Sequence, residues 1–379
     1  MKIKNLSVKI FLDKLEIVGN AISNNQEKEY LKDVKIVAKN GAIMLLTYDN
    51  ISAIKTFLLK DADDYFEIEE EGNIIVDFMI LKNLFSKLNC DNVSLKTDET
   101  KLIVKSDNGI YKLSLDDYNM YPEIKFEKFE NNIKFKVSDL RDIISKTIFA
   151  VATNEAKLSL TGVYFELKNN ILEAVSTDSY RLSKYKLEVE NGKNDNFLFT
   201  KKSLIILDKL LSKSTKDDIV FSYNSTTKEV TIGIDKILYK SRLMLELYPD
   251  IKRIITNKYT YEVKINRKKM LESIDRMNIF SDDMKSSVVL FAINKNVLSI
   301  SNMRNNFENA KETIPCISNY DLDNELKVLC SSSYLIEALK CFDCEEVIIK
   351  INEPLYPFII CQENSDKIIE LLLPLKNTN

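Results

Sequence analysis

Histidine and tryptophan are absent from the 379 residues. Without histidine there is no Ser–His–Asp triad, no histidine-bound metal and no side chain that ordinarily titrates near neutral pH. Glycine and proline are scarce, at 7 and 6, which excludes collagen-like or proline-rich linker segments. The loops GxGxxG and GK[ST] do not occur, nor do HExxH or GxSxG, so the nucleotide, zinc-protease and hydrolase signatures are missing. No apolar run reaches the roughly 18 residues of a membrane span. The N-terminal MKIKNLSVKIF has neither a long apolar stretch nor a small-residue cleavage site, so a soluble, cytoplasmic chain without a membrane partner is expected. The six cysteines are Cys90, Cys316, Cys330, Cys341, Cys344 and Cys361. Cys341 and Cys344 form a CxxC, but no second ligand pair stands at zinc spacing. They read as small, buried residues of an intracellular protein, and neither a metal nor a cofactor is expected. The acid pairs Asp217–Asp218 and Asp282–Asp283 fall in expected turns, where solvated charge explains them better than catalysis.

What is present is repetition. A short helical pattern recurs at 6–22, 78–88, 137–152, 201–213, 266–280 and 331–342. Each copy places apolar residues three and four apart, as in Leu81, Leu84, Phe85 and Leu88, or Leu335, Ala338, Leu339 and Phe342. Ser7, Asp77, Ser138 and Ser332 stand where helix N-caps belong. Between the helices, alternating apolar and polar residues predict strands, joined by NG, NN, DNG and INEP turns. The chain therefore reads as helix, strands, helix, strands, three times over. Breaks after YPEI (121–124) and after YPDIKRIIT (248–256) give domains at 1–125, 126–256 and 257–379. Each holds two helices on antiparallel sheets, an α+β class.

A net charge of −3 excludes a protein that is basic all over. If the chain meets DNA, its positive charge must be confined to one face. The wet positions of the expected helices carry Lys9, Lys14, Lys82, Lys87, Arg141, Lys146, Lys202, Lys209, Lys213, Lys268, Lys269, Arg276 and Lys340. The same segments carry only Asp13, Glu16, Asp139, Asp142, Asp208, Glu272, Asp275 and Glu337. If all the helices line one face, that face is modestly positive while the rest is acidic. Such a surface meets phosphates without reading bases, although lysine on a solvated helix face is also an ordinary feature.

Four segments resemble the bacterial DNA polymerase III β subunit, the sliding-clamp family. GVYFELKNNILEAVSTDSYRLS (162–183) is similar to a family stretch with T-D-G-H-R-L, and YKSRLMLELYPDIKRII (239–255) to one ending F-P-D-Y-R-R-V. YKLSLDDYNMYPEI (111–124) is a weaker echo, and IIELLLPLKN (368–377) resembles the closing V-M-P-M-R. The resemblance spans the whole chain in matching order. It implies a DNA clamp fold: three similar domains per chain and a head-to-tail homodimeric ring, with helices lining the hole and sheets outside. It implies no catalysis. The implied partners are duplex DNA held without sequence preference, a DNA polymerase catalytic subunit, a clamp loader complex and other proteins with clamp-binding peptides. A paralogous clamp that scaffolds repair or recombination factors is the alternative reading.

The resemblance also implies sites. A peptide-binding cleft falls on Lys157, Leu160, Thr177, Tyr180, Arg181, Leu182, Pro249, Arg253, Ile254, Leu372, Leu373, Pro374, Leu375 and Lys376. Its leucines and isoleucine would form an apolar floor, and Lys157, Arg181, Arg253 and Lys376 a polar rim. The dimer contact falls near Leu113 on one side and Ile279 and Phe280 on the other. Three departures stand out. Ser179 and Tyr180 replace a Gly and a His. The loop SNNQEKEYLKD, with Asn24, lacks the usual Arg and Pro. The chain continues as NTN past the family's stop.

Overall fold

The computed structural model describes every residue except 24–28, 61–65, 191–192, 252–253, 257, 282–286, 305–306, 322–323 and 377–379. Asn24, Arg253, the Asp282–Asp283 pair and the terminal NTN therefore lie outside the described residues. The helices are α1 (Val8–Val18), α2 (Phe78–Phe85), α3 (Val137–Ser145), α4 (Lys201–Leu211), α5 (Arg267–Asn278) and α6 (Ser332–Lys340). All six fall in the segments expected to be helical. None among the described residues is long and apolar enough to cross a membrane.

Each helix follows a strand with no intervening loop, so the last strand residue becomes the cap. Ser7 accepts from the Ile10 N–H at 3.4 Å and Asp77 from the Ile80 N–H at 2.9 Å, as expected. Ser138 and Ser332 do not cap, because α3 and α6 begin earlier than the serine pattern suggests and take both residues inside. Ser331 occupies the N-cap of α6, and Asn266 caps α5 by accepting from the Lys269 N–H at 3.0 Å. The apolar stripes bury as their spacing requires. Phe11 and Leu15 of α1 and Leu81 and Phe85 of α2 are almost fully buried, and the Phe11 and Phe85 rings lie 4.7 Å apart. Likewise α5 packs beside α6.

The chain forms two compact units. One comprises residues 1–138 and 202–243, the other 139–201 and 244–379. The first holds a five-stranded sheet in the order β5 (Glu67–Glu70), β1 (Lys2–Ser7), β7 (Asn92–Asp98), β8 (Lys101–Lys105), β9 (Ile110–Ser114). Its second sheet runs β10 (Asn131–Lys136), β15 (Asp218–Asn224), β16 (Glu229–Ile234), β17 (Ile237–Arg242), β4 (Ser52–Leu59), β3 (Ala42–Tyr48), β2 (Asp33–Lys39), β6 (Gly72–Asp77). The other unit holds a twelve-stranded sheet. Its first half is β14 (Asp195–Thr200), β11 (Gly162–Lys168), β12 (Ile171–Thr177), β13 (Arg181–Glu188), β25 (Ile368–Leu372), β24 (Phe358–Cys361). It continues through β23 (Glu346–Ile351), β18 (Tyr261–Asn266), β21 (Phe307–Ser318), β20 (Val297–Arg304), β19 (Val288–Asn294) and β22 (Leu326–Ser331).

Turn chemistry sets the hairpins. Asn40 and Gly41, at φ +52° and +73°, join β2 to β3, and Asn169 and Asn170, at +53° and +62°, join β11 to β12. Two consecutive left-handed residues twist the chain in the sense that matches the strands, which is what NG and NN supply. Asp218, one of the acid pairs, is the first residue of β15 and pairs with Lys134 at 2.9 Å. The three-fold α+β repetition is thus present, but the sheets run through the junctions between repeats. β17 pairs with β4 at Ile237↔Thr56, and β13 pairs with β25 at Arg181↔Leu372. Period-two alternation says that a strand exists and which face is apolar. It does not say which edge meets which.

Candidate functional site: a cleft beside the β13–β25 junction

The β12–β13 turn is built by its own short side chains. Asp178 Oδ1 accepts from the N–H groups of Tyr180 and Arg181 at 2.9 and 3.0 Å. Thr177 Oγ1 accepts from the Ser179 N–H at 3.1 Å and donates to the Arg181 carbonyl at 2.6 Å. These bonds hold Ser179 at φ +78°, a conformation that a side chain disfavours and glycine does not. Tyr180 is thereby lifted into solvent, 62% exposed. Beyond the end of β25 the Leu373 N–H donates to the Tyr180 carbonyl at 2.9 Å, so the ladder between β13 and β25 continues into the turn.

A cavity of about 480 Å³ opens beside this turn. Of the residues assigned to the cleft from sequence, it brings together Lys157, Leu160, Thr177, Tyr180, Arg181, Leu182, Pro249, Ile254 and Leu373. Leu372 is not among them. It is 1% exposed and belongs to the opposite face of β25, because neighbouring strand residues point to opposite sides. Leu371 and Leu373 line the cavity instead. Pro374, Leu375 and Lys376 run past the lining, and the Leu375 N–H donates to the Leu329 carbonyl of β22 at 2.7 Å. The structure adds Ser159, Ser179, Leu247 and Ile251 to the wall. Leu247, 93% exposed, was legible as an apolar residue out of place just before the YPDI motif. Leu371 was hidden, because three consecutive leucines in LLLPL do not show which of them share a face.

The rim cation Arg181 is committed inward. Its Nε donates to Asp178 Oδ2 at 3.0 Å, its Nη2 to the Phe149 carbonyl at 2.9 Å and its Nη1 to Glu337 of α6. Only 11% of the side chain is exposed. It therefore orders the cleft wall rather than standing free at the rim. Lys157 is exposed. Behind Pro249, Tyr248 stacks on Tyr164 with ring centroids 5.0 Å apart and planes 6° from parallel, and burial pushes its phenol pKa up.

The helix cations divide into two groups. Lys9, Lys87, Arg141, Lys209, Lys213, Lys268, Lys269 and Lys340 are exposed, and Lys14 and Lys82 are half-buried. Three others meet carboxylates from outside the helices. Lys146, half-buried, pairs with Asp343, Lys202 with Asp49, and Arg276 holds Glu312 through two bonds of 2.7 and 2.8 Å. The positive surplus counted on the helices is smaller by those three. Of the expected interface residues, Leu113 is almost buried in β9, while Ile279 and Phe280 at the end of α5 are 76% and 46% exposed. On β9 the exposed apolar residues are Ile110 and Tyr111. All six cysteines are free thiols. Burial pushes the Cys330 and Cys341 pKa values up, opposite to what a reactive thiolate needs.

Three models of the DNA polymerase III beta subunit match the chain: the N-terminal domain over residues 5–125, the central domain over 134–250 and the C-terminal domain over 252–376. The beta sliding clamp of Staphylococcus epidermidis is 29% identical over 371 residues, 97% of each chain. That of Staphylococcus aureus is 28% identical over the same span. Among solved structures, the DNA polymerase sliding clamp of Bacillus subtilis superposes with a TM-score of 0.92 at 24% identity, over 100% of this chain and 99% of that one. The DNA polymerase III beta chain of Streptococcus pneumoniae superposes with 0.90 at 24% identity, over the full length of both. With every repeat matched in order by its own domain model, the chain belongs to the DNA polymerase III beta subunit family, the bacterial sliding clamps.

Proposed function

We propose that this chain is a non-catalytic processivity clamp: two copies close head to tail around duplex DNA and hold a replicative polymerase there. The observation that carries the reading is the domain-by-domain family match along one chain. In the proposed ring, exposed helix cations such as Lys9, Lys87, Lys209 and Lys269 face the phosphates. Contacts of that kind are sequence-blind and weaken with salt. Closure uses strand edges. β9 is the last strand of its sheet, and β21 pairs with β18 only from Cys316 to Ser318. Among the described residues the rest of β21 has β20 on one side, leaving an edge for β9 of a second copy. Exposed Ile279 and Phe280 would be covered at the same junction. Domain borders near 125 and 256 fit this scheme.

The cavity beside β13 is the proposed docking point for short peptides of the polymerase, the clamp loader and other clients. Leu160, Leu182, Ile251, Leu371 and Leu373 offer an apolar floor for leucine or phenylalanine side chains, and exposed Lys157 a cation for an acidic neighbour. A repair-dedicated paralogue would share this cleft and differ in which client peptides it holds. The test is fluorescence anisotropy with a labelled peptide containing two leucines, a phenylalanine and an aspartate. Leu373→Ala should weaken binding by roughly tenfold, as expected when part of a buried leucine contact is lost. It should leave the dimer intact by analytical ultracentrifugation. Binding unchanged by Leu373→Ala would place the docking point elsewhere.

A further inference from the structure

Beneath the cleft, a carboxyl group sits inside the protein with no cation of its own. Glu370 lies on β25 and is 2% exposed. It faces Ser183 across the ladder, and the Ser183 hydroxyl is 2.8 Å from Glu370 Oε1. That same hydroxyl is 2.6 Å from the Lys146 carbonyl. A hydroxyl carries one proton, and a carbonyl carries none. The serine proton therefore goes to Lys146, and the short contact with Glu370 needs a proton from Glu370.

The remaining neighbours supply no substitute. The Cys341 thiol also touches Glu370, but it is a weak donor with one proton, and the Glu337 and Lys146 carbonyls at 3.4 and 3.8 Å compete for it. The nearest guanidinium, Arg181, is held by Asp178, Glu337 and the Phe149 carbonyl. The Lys146 ammonium is paired with Asp343. A carboxylate here would be a buried charge with no cation paired to it, which costs several kcal/mol. Burial holds the Glu370 pKa well above the usual carboxylate range, against the opposing pull of Ser183, Cys341 and Arg181.

We propose that Glu370 is an uncharged positioning residue, donating its carboxyl proton to Ser183 and so fastening β25 to β13 beneath the peptide cleft. The two strands it joins both line that cleft. Arg181 and Leu182 precede Ser183, and Leu371 and Leu373 follow Glu370. The fastener also reaches the end of α3 through the Lys146 carbonyl and α6 through Cys341. The inference rests on the peptide-docking reading for its consequence, but not for the protonation itself.

The experiment uses the full-length chain, the labelled peptide described above and two variants. Glu370→Gln keeps a neutral donor of the same length, and Glu370→Met keeps the length without the donor. Infrared difference spectra of wild type against Glu370→Gln at pH 7 should contain a protonated-carboxyl C=O band. Glu370→Gln should bind the peptide within about twofold of wild type, and Glu370→Met about tenfold more weakly. Absence of the band overturns the protonation. A folded Glu370→Gln that loses peptide, or a Glu370→Met that keeps it, overturns the positioning role. If wild type itself ignores the peptide, the docking reading fails while the infrared result still decides the state of Glu370.

Discussion

The guanidinium carbon of Arg181 lies 4.2 Å from the ring centroid of Tyr334, so a cation carried by β13 is capped by an aromatic face from α6. Phe149 presents a second ring at 5.1 Å. With Asp178 and Glu337 as counter-ions, the side chain joins three segments that are far apart in sequence. Replacing it with alanine leaves Asp178, itself little exposed, without its cation. Arg181→Ala should cost roughly 3 kcal/mol in urea unfolding, the lower end for a broken buried pair, because the Glu337 side chain is 43% exposed. Arg181→Lys should recover little, since an ammonium cannot reproduce the planar fork or the stacking.

The turn that lifts Tyr180 contains a local conflict. Ser179 sits at φ +78°, where a Cβ costs about 1 kcal/mol or more. Ser179→Gly should therefore raise the urea midpoint by the equivalent of about 1 kcal/mol, even after the added entropy of an unfolded glycine. Ser179→Val should lower it. Peptide affinity should change little in the glycine variant, because Asp178 and Thr177 still pin the backbone.

A second buried carboxyl group predicts a pH dependence. Asp33 begins β2, is 1% exposed and leaves Oδ1 without a hydrogen-bond partner. Burial first, and then the charge of Asp116, push its pKa up to about 7, against the pull of Lys32. Unfolded, it ionises near the ordinary value for aspartate, about 4. Between those values the unfolded chain releases a proton that the fold retains, so stability falls as pH rises from about 4 to about 7. Asp33→Asn should flatten that slope and stabilise the protein by at least about 1 kcal/mol at pH 8. Thermal melts of both forms from pH 5 to pH 8 check this, and parallel curves would contradict it.

Much of this was legible in the sequence because it is periodic. The six helices, the NG and NN hairpins and the caps at Ser7 and Asp77 follow from spacing and turn chemistry alone. The cleft was reached by resemblance, residue by residue, and nine of its residues converge on one cavity. What was not legible is long-range. No local pattern says that β13 pairs with β25, that Arg181 faces Glu337 from 156 positions away, or that Lys202 meets Asp49. Those pairings give three of the cations expected to face DNA and one expected at the cleft rim carboxylate partners within the chain. Leu372 illustrates a finer failure, since its run of leucines hides which face each one takes.

The central claim is topological, and retention on DNA tests it most directly. The protein, loaded by a clamp loader onto a nicked circle and freed of loader by gel filtration, should stay with the circle. It should leave within minutes once a restriction enzyme cuts the circle, because a ring slides off an end. Equal loss from intact and cut DNA would contradict encirclement and leave only surface binding through the helix lysines.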